Sequence, residues 1–302
     1  MLHRGGERQA RLRGLSRLRS SWRWGAGGCG GLAVVMLLLL VGYAAPASAE
    51  QAAEIEASGW TLNLGVGVQE VISRDEMGSP LAYRGTGYPL ALGAELRRSR
   101  WSAGGQASAF AFGFNGGRLA AAPAEEGSEG HRADSVFVDL SLWYQRPLVA
   151  ADSWSLTVGP QIGHWTFFRS YLYNPRQIGS VETWDTAVTV DVLGQWRYVG
   201  GSWSGQVAAS VSVAGRMMRP SYSIRGDDRL ALVESRRQVL REGHWTTARR
   251  LRMAQAEVAL ERRISDRVGI WAQYRVGGLD YRDEVATRAF SQRFVTGIQW
   301  RF

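Results

Sequence analysis

The last thirteen residues of the chain, Phe290 to Phe302, read FSQRFVTGIQWRF and alternate in character from one position to the next. Counting back from the end, one set of alternate positions is apolar except for a threonine: Phe302, Trp300, Ile298, Thr296, Phe294. The positions between them are mostly charged, polar or small: Arg301, Gln299, Gly297, Val295, Arg293. Since successive side chains of a β-strand point to opposite faces, this period of two predicts a strand with one apolar face.

A strand that ends the chain on an aromatic residue, with a second aromatic two positions earlier, resembles the closing strand of bacterial outer-membrane β-barrels. In that class the assembly machinery recognises the final Phe and its alternating partners. The resemblance implies that Phe302 and Trp300 carry this signal here. It also implies that the same alternation recurs along the rest of the chain.

Residues 1–49 have the organisation of a secretory signal. Seven arginines precede an unbroken apolar run, Leu32–Val41, and Ala47-Ser48-Ala49 fits the small-x-small cleavage rule. The run is short for a spanning helix, which needs about 20 apolar residues. We therefore predict a cleaved signal peptide over 1–49, a polar lead-in over 50–58 and the folded domain over 59–302. Cys29 is the only cysteine, so the mature chain has no disulfide and no cysteine-based metal site.

The basic charge of the chain belongs largely to this leader. Residues 1–49 hold seven arginines and one glutamate, so the net charge falls from +9 to +3 when they are removed. A nucleic-acid partner is therefore not expected. No apolar run after residue 49 is long enough for a helical membrane span. Export without such a span leaves a periplasmic β protein or an outer-membrane barrel.

Alternation like that of the closing strand recurs in nine earlier segments. They begin near the following residues: Trp60, Tyr88, Trp101, Val136, Trp154, Val188, Trp203, Ala254, Ile270. Long polar stretches at 70–85, 113–134 and 217–248 alternate with short turns. An even strand number with alternating short and long connections is typical of outer-membrane barrels. The prediction is an all-β, transmembrane, antiparallel up-and-down barrel of about ten strands with both termini in the periplasm.

Aromatic residues recur at one end of these predicted strands. Those assigned to a membrane girdle at the periplasmic interface are Trp60, Trp101, Trp154, Trp203, Trp300 and Phe302. Amphipathic rings prefer the level of the lipid headgroups, which explains such a ring of aromatics. A soluble β-sandwich would not place Trp at the same end of every second strand.

The faces opposite the apolar ones carry charges of both signs. The residues assigned to a barrel-interior network are Glu95, Arg97, Asp139, Asp191, Arg197, Glu257, Arg275 and Arg293. A ten-stranded barrel is too narrow for the open channel of 16 to 18 strands, so these charges are expected to pair. Glu257 is expected to pair with Arg275 or Arg293 on the next two strands. A narrow polar pore is the alternative interpretation.

Catalysis is the weakest of the functional hypotheses. Glu242-Gly243-His244, together with the acidic stretch 125–129 near His131, resembles the omptin proteases, ten-stranded barrels that pair two Asp on one outer loop with an Asp-x-His on another. This chain has Glu in place of that Asp and no Asp-x-Asp in the second loop, and both departures alter carboxylate reach. His164 lies in phase with an apolar face and is interpreted as an interfacial residue. No metal and no cofactor are expected.

The sequence therefore predicts an integral outer-membrane barrel of a Gram-negative bacterium with a charge-paired interior and a structural, adhesive or surface-binding role. A narrow small-solute channel and an omptin-like protease are the alternatives. The expected partners are outer-membrane lipid, lipopolysaccharide and, through the C-terminal strand, the assembly machinery. The stretch 216–252, with ten arginines against four acids, suggests contact with lipopolysaccharide phosphates, and a solvated charged loop is the other interpretation.

Overall fold

The structure, a computed structural model, describes residues 59–75, 79–98, 100–111, 118–121, 132–172, 180–218, 241, 243–282 and 286–302. These residues contain thirteen β-strands with the following bounds: β1 Gly59–Asp75, β2 Ser79–Gly87, β3 Leu90–Arg98, β4 Trp101–Ala111, β5 Arg118–Ala121, β6 Arg132–Ala150, β7 Trp154–Leu172, β8 Ser180–Gly200, β9 Trp203–Met218, β10 His244–Thr247, β11 Leu251–Arg263, β12 Val268–Arg282 and β13 Ala286–Arg301. No helix within the described ranges has the length and apolar character to cross a membrane.

Ten of these strands form a closed wall. In order they are β1, β3, β4, β6, β7, β8, β9, β11, β12 and β13, each antiparallel to the next, and β13 pairs back with β1. The closing seam runs from Thr61 opposite Arg301 to Asp75 opposite Thr287 without a register shift. The prediction of an all-β antiparallel barrel of about ten strands is therefore confirmed.

The remaining three described strands lengthen the wall at one end. β2 continues β3 along β1, and Tyr88 and Pro89 separate the two. Proline has no N–H to pair, but the Pro89 carbonyl still accepts from the amide of Gly67 at 3.2 Å. β5 pairs with both β2 and β6, and β10 pairs with β9 and is connected to β11 by a turn at 248–250. The barrel wall thus extends beyond the ten main strands.

These extensions correct three loop predictions. Most of the stretch 70–85 lies in β1 and β2, the stretch 113–134 contains β5 and the start of β6, and 217–248 contains β10. The polar sequence was interpreted as loop because its side chains have no apolar face. Backbone hydrogen bonds pair the strands whatever side chains they carry, and the interior face of this stretch buries Val71 and Ser73, so the strands continue past the end of the apolar alternation.

The two ends of the barrel differ in their connections. At one end, here called the turn end, lie Gly59, Phe302 and the short connections 151–153, 201–202 and 264–267. Gly201 has a φ of 62°, a left-handed conformation that glycine adopts without steric cost. Trp60 and Phe302 exchange backbone hydrogen bonds of 3.2 and 2.9 Å at this end. The opposite end is called the loop end.

Side chains alternate between the exterior and the interior of the barrel as the period of two predicts. Leu92 is 50% exposed whereas its neighbour Ala91 is 1% exposed, and Val190 is 41% exposed whereas Thr189 is fully buried. The apolar face of each strand is therefore the exterior one. The opposite face of each strand, which is mostly polar or charged, points into the lumen.

One interior side chain lies across the closing seam. Trp271 on β12 is in register with Gly297, which is in register with Gly65 on β1, and Gly65 with Ala91 on β3. A Cβ on Gly65 would stand 2.7 Å from a ring carbon of Trp271 and from Val295. The indole therefore occupies space that Gly65 leaves free, and it packs with Ala91 and Val295 in a small buried cluster.

Candidate functional site

A hydrogen-bonded layer centred on Arg275 crosses the lumen near mid-height. The Arg275 guanidinium on β12 donates to Glu257 Oε2 on β11 at 2.9 and 2.6 Å, and to Asp139 Oδ2 on β6 at 3.1 Å. It also donates to Gln106 Oε1 on β4, and the amide of Gln106 donates to Gln273 Oε1 at 3.1 Å. Charge-assisted bonds of this kind are the strong ones in a protein interior. The layer therefore links strands on facing sides of the barrel.

Arg293 completes the charge balance of this layer. It is in register with Arg275 on the neighbouring strand, is 4% exposed, and donates from Nη1 to Ser108 Oγ on β4. Its Nε and Nη2 have no hydrogen-bond partner in the described part of the chain. With Glu257 and Asp139, the layer holds two guanidinium groups and two carboxylates. Arg275, not Arg293, is the partner that Glu257 contacts.

The other charges assigned to the interior lie away from this layer. Glu95 accepts from Arg97 at 2.9 and 2.6 Å near the turn end. Asp191 accepts from Ser212 Oγ at 2.6 Å and from Gln161 Nε2 at 3.1 Å, so neutral donors surround it in a buried site. Arg197 lines the cavities at the turn end. The structure thus brings together Asp139, Glu257, Arg275 and Arg293 but distributes the remaining four.

An apolar cluster fills the lumen on the loop-end side of the layer. Its buried members are Val71, Trp165, Phe167, Ala187, Met217, Leu251 and Tyr281, and Phe137, Met253 and Leu279 pack against it. Phe137 and Phe167 form an edge-to-face pair with ring centroids 5.9 Å apart, and Trp165 Nε1 donates to Met253 Sδ at 3.0 Å. The cavity beside it measures only about 60 Å³.

The sequence analysis missed this cluster, although a signal was present. Phe137 lies between Val136 and Val138, so both faces of that strand are apolar there. Trp165, Phe167 and Phe168 lie within four consecutive positions of the next strand. A strand that is apolar on both faces is buried on both faces. In a barrel, that composition indicates a filled interior at that height.

A polar chamber of about 100 Å³ lies on the turn-end side of the layer. Glu257, Gln106 and Gln273 line it at the layer, and Glu95, Arg97 and Arg197 line it toward the turn end. The described lumen is therefore obstructed at two levels, first by hydrogen-bonded charges and then by packed apolar side chains. An open aqueous path is not visible among these residues.

The aromatic residues of the predicted girdle lie at the turn end. Trp60 is 54% exposed, Trp203 51% and Phe302 79%, while Trp101 and Trp300 are half-buried. Trp101 packs against Tyr144 with ring centroids 6.0 Å apart, and the guanidinium of Arg262 lies over Trp203 at 5.3 Å. Trp154 opens β7 at the same end. These aromatic residues lie at one end of the barrel, and their role as a membrane girdle is a proposal.

The residues considered for catalysis do not form a site in the described part of the chain. Glu242, His131 and the acidic stretch 125–129 lie outside the described residues. His244 opens β10 at the loop end and its side chain is exposed. His164, expected at an interface, is buried, with Nε2 3.3 Å from Thr186 Oγ1. Within the described ranges, no group of three or more His, Cys, Asp or Glu is placed to hold a metal ion.

Comparison with known structures agrees with this architecture. The fold is similar to that of the outer-membrane protease OmpT from Escherichia coli, with a TM-score of 0.53, 8% identity, and coverage of 81% of this chain and 97% of that one. Further matches are the translocator domain of the autotransporter NalP from Neisseria meningitidis, with TM-score 0.43, 10% identity and coverage of 82% and 89%, and the attachment invasion locus protein Ail of Yersinia pestis, with TM-score 0.29, 12% identity and coverage of 81% and 99%. No protein-family model and no curated protein sequence matches the chain.

The chain has the fold of bacterial outer-membrane β-barrel proteins. The resemblance proposed from the closing strand is confirmed at the level of this class. At 8% identity the likeness to OmpT concerns the fold alone, and it assigns no activity to His244 or to any other residue.

Proposed function

We propose that this chain is an integral protein of the outer membrane of a Gram-negative bacterium that acts through its surface, as a structural, adhesive or ligand-binding barrel, and not as an open channel. The observation that carries the proposal is the filled lumen. Arg275 joins carboxylates from two other strands, and the apolar cluster around Phe167 closes the next level toward the loop end. Ions crossing this interior would have to break a charge-balanced network and then displace packed side chains.

The orientation follows from the connections and from the aromatic residues. Short turns and both chain termini are periplasmic in this class of barrel, and longer loops are extracellular. We place the turn end, with Gly59 and Phe302, in the periplasm after removal of the signal peptide over 1–49. In this orientation the exposed Trp60 and Trp203 lie at the inner headgroup level, and the closing strand ending in Phe302 presents the assembly signal.

A row of charged residues lies on the exterior at the loop end. It supports the proposal that lipopolysaccharide is a partner of this chain. Arg74 on β1, Arg288 on β13, Asp280 on β12 and Arg252 on β11 are successive register partners. Alternation from the exposed Val68 places this row on the exterior. Asp280 contacts Arg288 at 3.3 Å, so one acid faces three guanidinium groups in the row.

The height of this row fits the outer headgroups. Residues 60 to 74 of β1 span roughly 35 Å along the barrel axis, at about 3.3 Å per residue and a tilt of about 40°. The apolar band of such barrels is about 25 Å tall. With Trp60 at the inner boundary, Arg74 stands beyond the band, where the phosphates of lipopolysaccharide lie. Guanidinium groups bind phosphate in a bidentate manner.

Planar-bilayer recording on the refolded protein tests the filled lumen directly. We expect no discrete conductance steps above those of the bilayer alone. Reproducible steps from the unmodified protein would contradict the proposal and support the narrow small-solute channel, for which the polar chamber below Arg275 is the structural argument. A positive control is a known porin refolded in the same detergent.

A second experiment tests the lipopolysaccharide partner. Lipopolysaccharide should raise the unfolding temperature of the refolded protein because it binds only the folded state. The double variant Arg74→Gln/Arg288→Gln should lose most of this increase. Arg146→Gln, an exposed arginine at the opposite end, serves as the matched control and should keep it. An equal loss in both variants would indicate an unspecific charge effect.

A further inference from the structure

A wide basic vestibule opens at the turn end of the barrel. It measures about 800 Å³ and lies between the ends of the strands and their short connections. Its charged lining consists of one acid, Asp266, and five arginines: Arg97, Arg197, Arg263, Arg267 and Arg301. The lower mouth of the lumen therefore has a different character from the charge-balanced layer above it.

The five arginines come from separate parts of the sequence and converge because of the topology. Arg97 and Arg301 lie at the ends of β3 and β13, and Arg197 lies on β8. Arg263 ends β11 and Arg267 lies in the short connection to β12. Short connections bring all of these positions to one end of the barrel. No short sequence motif predicts the vestibule.

Among the described residues, only two of these arginines have a carboxylate partner. Arg97 is bound to Glu95, and Arg301 contacts Glu261. Arg197, Arg263 and Arg267 form no ion pair in the described part of the chain. Unpaired guanidinium groups around a concave mouth create a positive potential that concentrates anions.

Among the described residues, the vestibule leads to no open passage through the barrel. It shares Arg97, Arg197 and Ser204 with the chamber of about 100 Å³ above it, so the two spaces adjoin. The chamber in turn ends at Glu257 and Gln106, which belong to the layer around Arg275. A molecule that enters the mouth has to leave by the same side. This arrangement suits binding and not passage.

We infer that the vestibule is a binding site for a ligand that carries several carboxylate or phosphate groups and approaches from the turn end. The planar fork of a guanidinium matches these oxyanions and binds them in a bidentate manner. Arg263 and Arg267 are the primary contacts because they are unpaired and stand at the rim. The inference rests on the proposed orientation, under which the ligand is periplasmic. Its source is either a free small anion or the peptide carboxylates of the cell wall.

Isothermal titration of the full refolded barrel in a nonionic detergent tests this inference. Citrate is the first probe, at low ionic strength. We expect saturable binding that weakens about tenfold or more in Arg263→Gln/Arg267→Gln, because each lost guanidinium removes charge-assisted hydrogen bonds. Arg146→Gln is the matched control, since Arg146 lies at the same end but on the exterior, where it contacts Tyr144. It should bind citrate as the unmodified protein does.

Two further probes distinguish the sources. A soluble cell-wall peptide fragment that binds more tightly than citrate, and that loses binding when its carboxylates are amidated, identifies the cell wall. Citrate and inorganic phosphate binding at least as well as the fragment identify a free anion. Absence of saturable binding by any probe, or an equal loss in Arg146→Gln, overturns the inference. Heat-modifiable migration on gels verifies that each variant is folded.

These outcomes are independent of the conductance test. The titration uses isolated protein in detergent, so neither the direction of insertion nor the filled lumen affects it. A conducting barrel that binds citrate would contradict the proposed function and leave the vestibule intact. A barrel that shows no conductance and binds no anion would support the proposed function and overturn the inference about the vestibule.

Discussion

Arg275 on β12 and Asp139 on β6 meet across the lumen, with 3.1 Å between Nη1 and Oδ2. The two strands are not neighbours in the wall, so the ion pair ties facing sides of the barrel together. The same guanidinium holds Glu257 from the adjacent β11. One cation thus contacts two carboxylates that come from different strands, and Arg293 supplies the second positive charge of the layer.

Replacement of this cation should destabilise the barrel more than replacement of either acid. Arg275→Gln leaves Glu257 and Asp139 without their partner, and breaking a buried pair costs about 3–5 kcal/mol. Glu257→Gln leaves Asp139 to neutralise Arg275 and should cost less. In a double-mutant cycle the combined variant should recover part of the loss. Urea unfolding in detergent measures these differences, with Arg146→Gln as a surface control.

Small and additive effects in that cycle would indicate that mobile water solvates Glu257 and Arg275. A shift in ion selectivity in bilayer recordings would then be expected from the same variants. That combination would reject the filled barrel in favour of the narrow channel.

Exterior and interior neighbours should respond differently to cysteine labelling. Leu92→Cys, Val190→Cys and Val211→Cys should react with a lipid-soluble thiol reagent in proteoliposomes, because these side chains are exposed on the exterior. Cysteines at the buried Ala91, Thr189 and Ser210 should not react. The chain after residue 49 contains no native thiol. Equal labelling of the two sets would overturn the assignment of the faces.

Arginine substitution at an exterior position tests the same assignment of faces through the free energy of unfolding. Leu92→Arg should cost about 2–4 kcal/mol in a lipid bilayer, as expected for a charge near the midplane. In a detergent micelle, where water reaches the substituted side chain more easily, the cost should be smaller. Reversible unfolding in the two environments measures the difference.

The closing seam should be intolerant of added side-chain volume. A Cβ on Gly297 would stand 1.9 Å from the carbonyl oxygen of Leu64, so Gly297→Ala requires the two strands to move apart. We expect a loss of about 1–3 kcal/mol, as for other overpacked sites. Gly194→Ala is the matched control, because its Cβ would meet no heavy atom within 4 Å. Similar unfolding midpoints for both variants would contradict the tight approach.

Deletion of the last residue should impair assembly in cells more than stability in vitro. Phe302 is 79% exposed, and its main fold contact is the pair of backbone hydrogen bonds with Trp60. The deletion variant, and Phe302→Arg, should therefore accumulate outside the outer membrane. Phe302→Trp should assemble normally. Cell fractionation with heat-modifiability gels reports both, and normal insertion of the deletion variant would remove the proposed assembly role.

The sequence predicted the strands of the barrel wall better than the side-chain contacts inside the lumen. Alternation in segments such as Trp60–Val68 identified the exterior face, because in these segments the apolar face is the exterior one. Glu257 is expected from the sequence to pair with Arg275 or Arg293, because their strands follow one another, and the structure places it against Arg275. The contact with Asp139 was not predicted, since it depends on the diameter of the closed barrel. The vestibule was missed for the same reason, because Arg97 on β3 and Arg197 on β8 line one cavity only after closure.

The register of Thr61 with Arg301 also affects how the molecule folds. Nearly the whole barrel sequence separates these two partners, so the seam is a contact of very high sequence separation, and such contacts form slowly. Until the C-terminal strand arrives, β1 presents an unpaired edge that invites aggregation with other chains. Under the proposed export to the outer membrane, translocation delivers the N-terminal strand first and its partner last. We therefore expect the precursor to depend on a holding chaperone throughout transit, and pulse-chase crosslinking should capture β1 in that bound state.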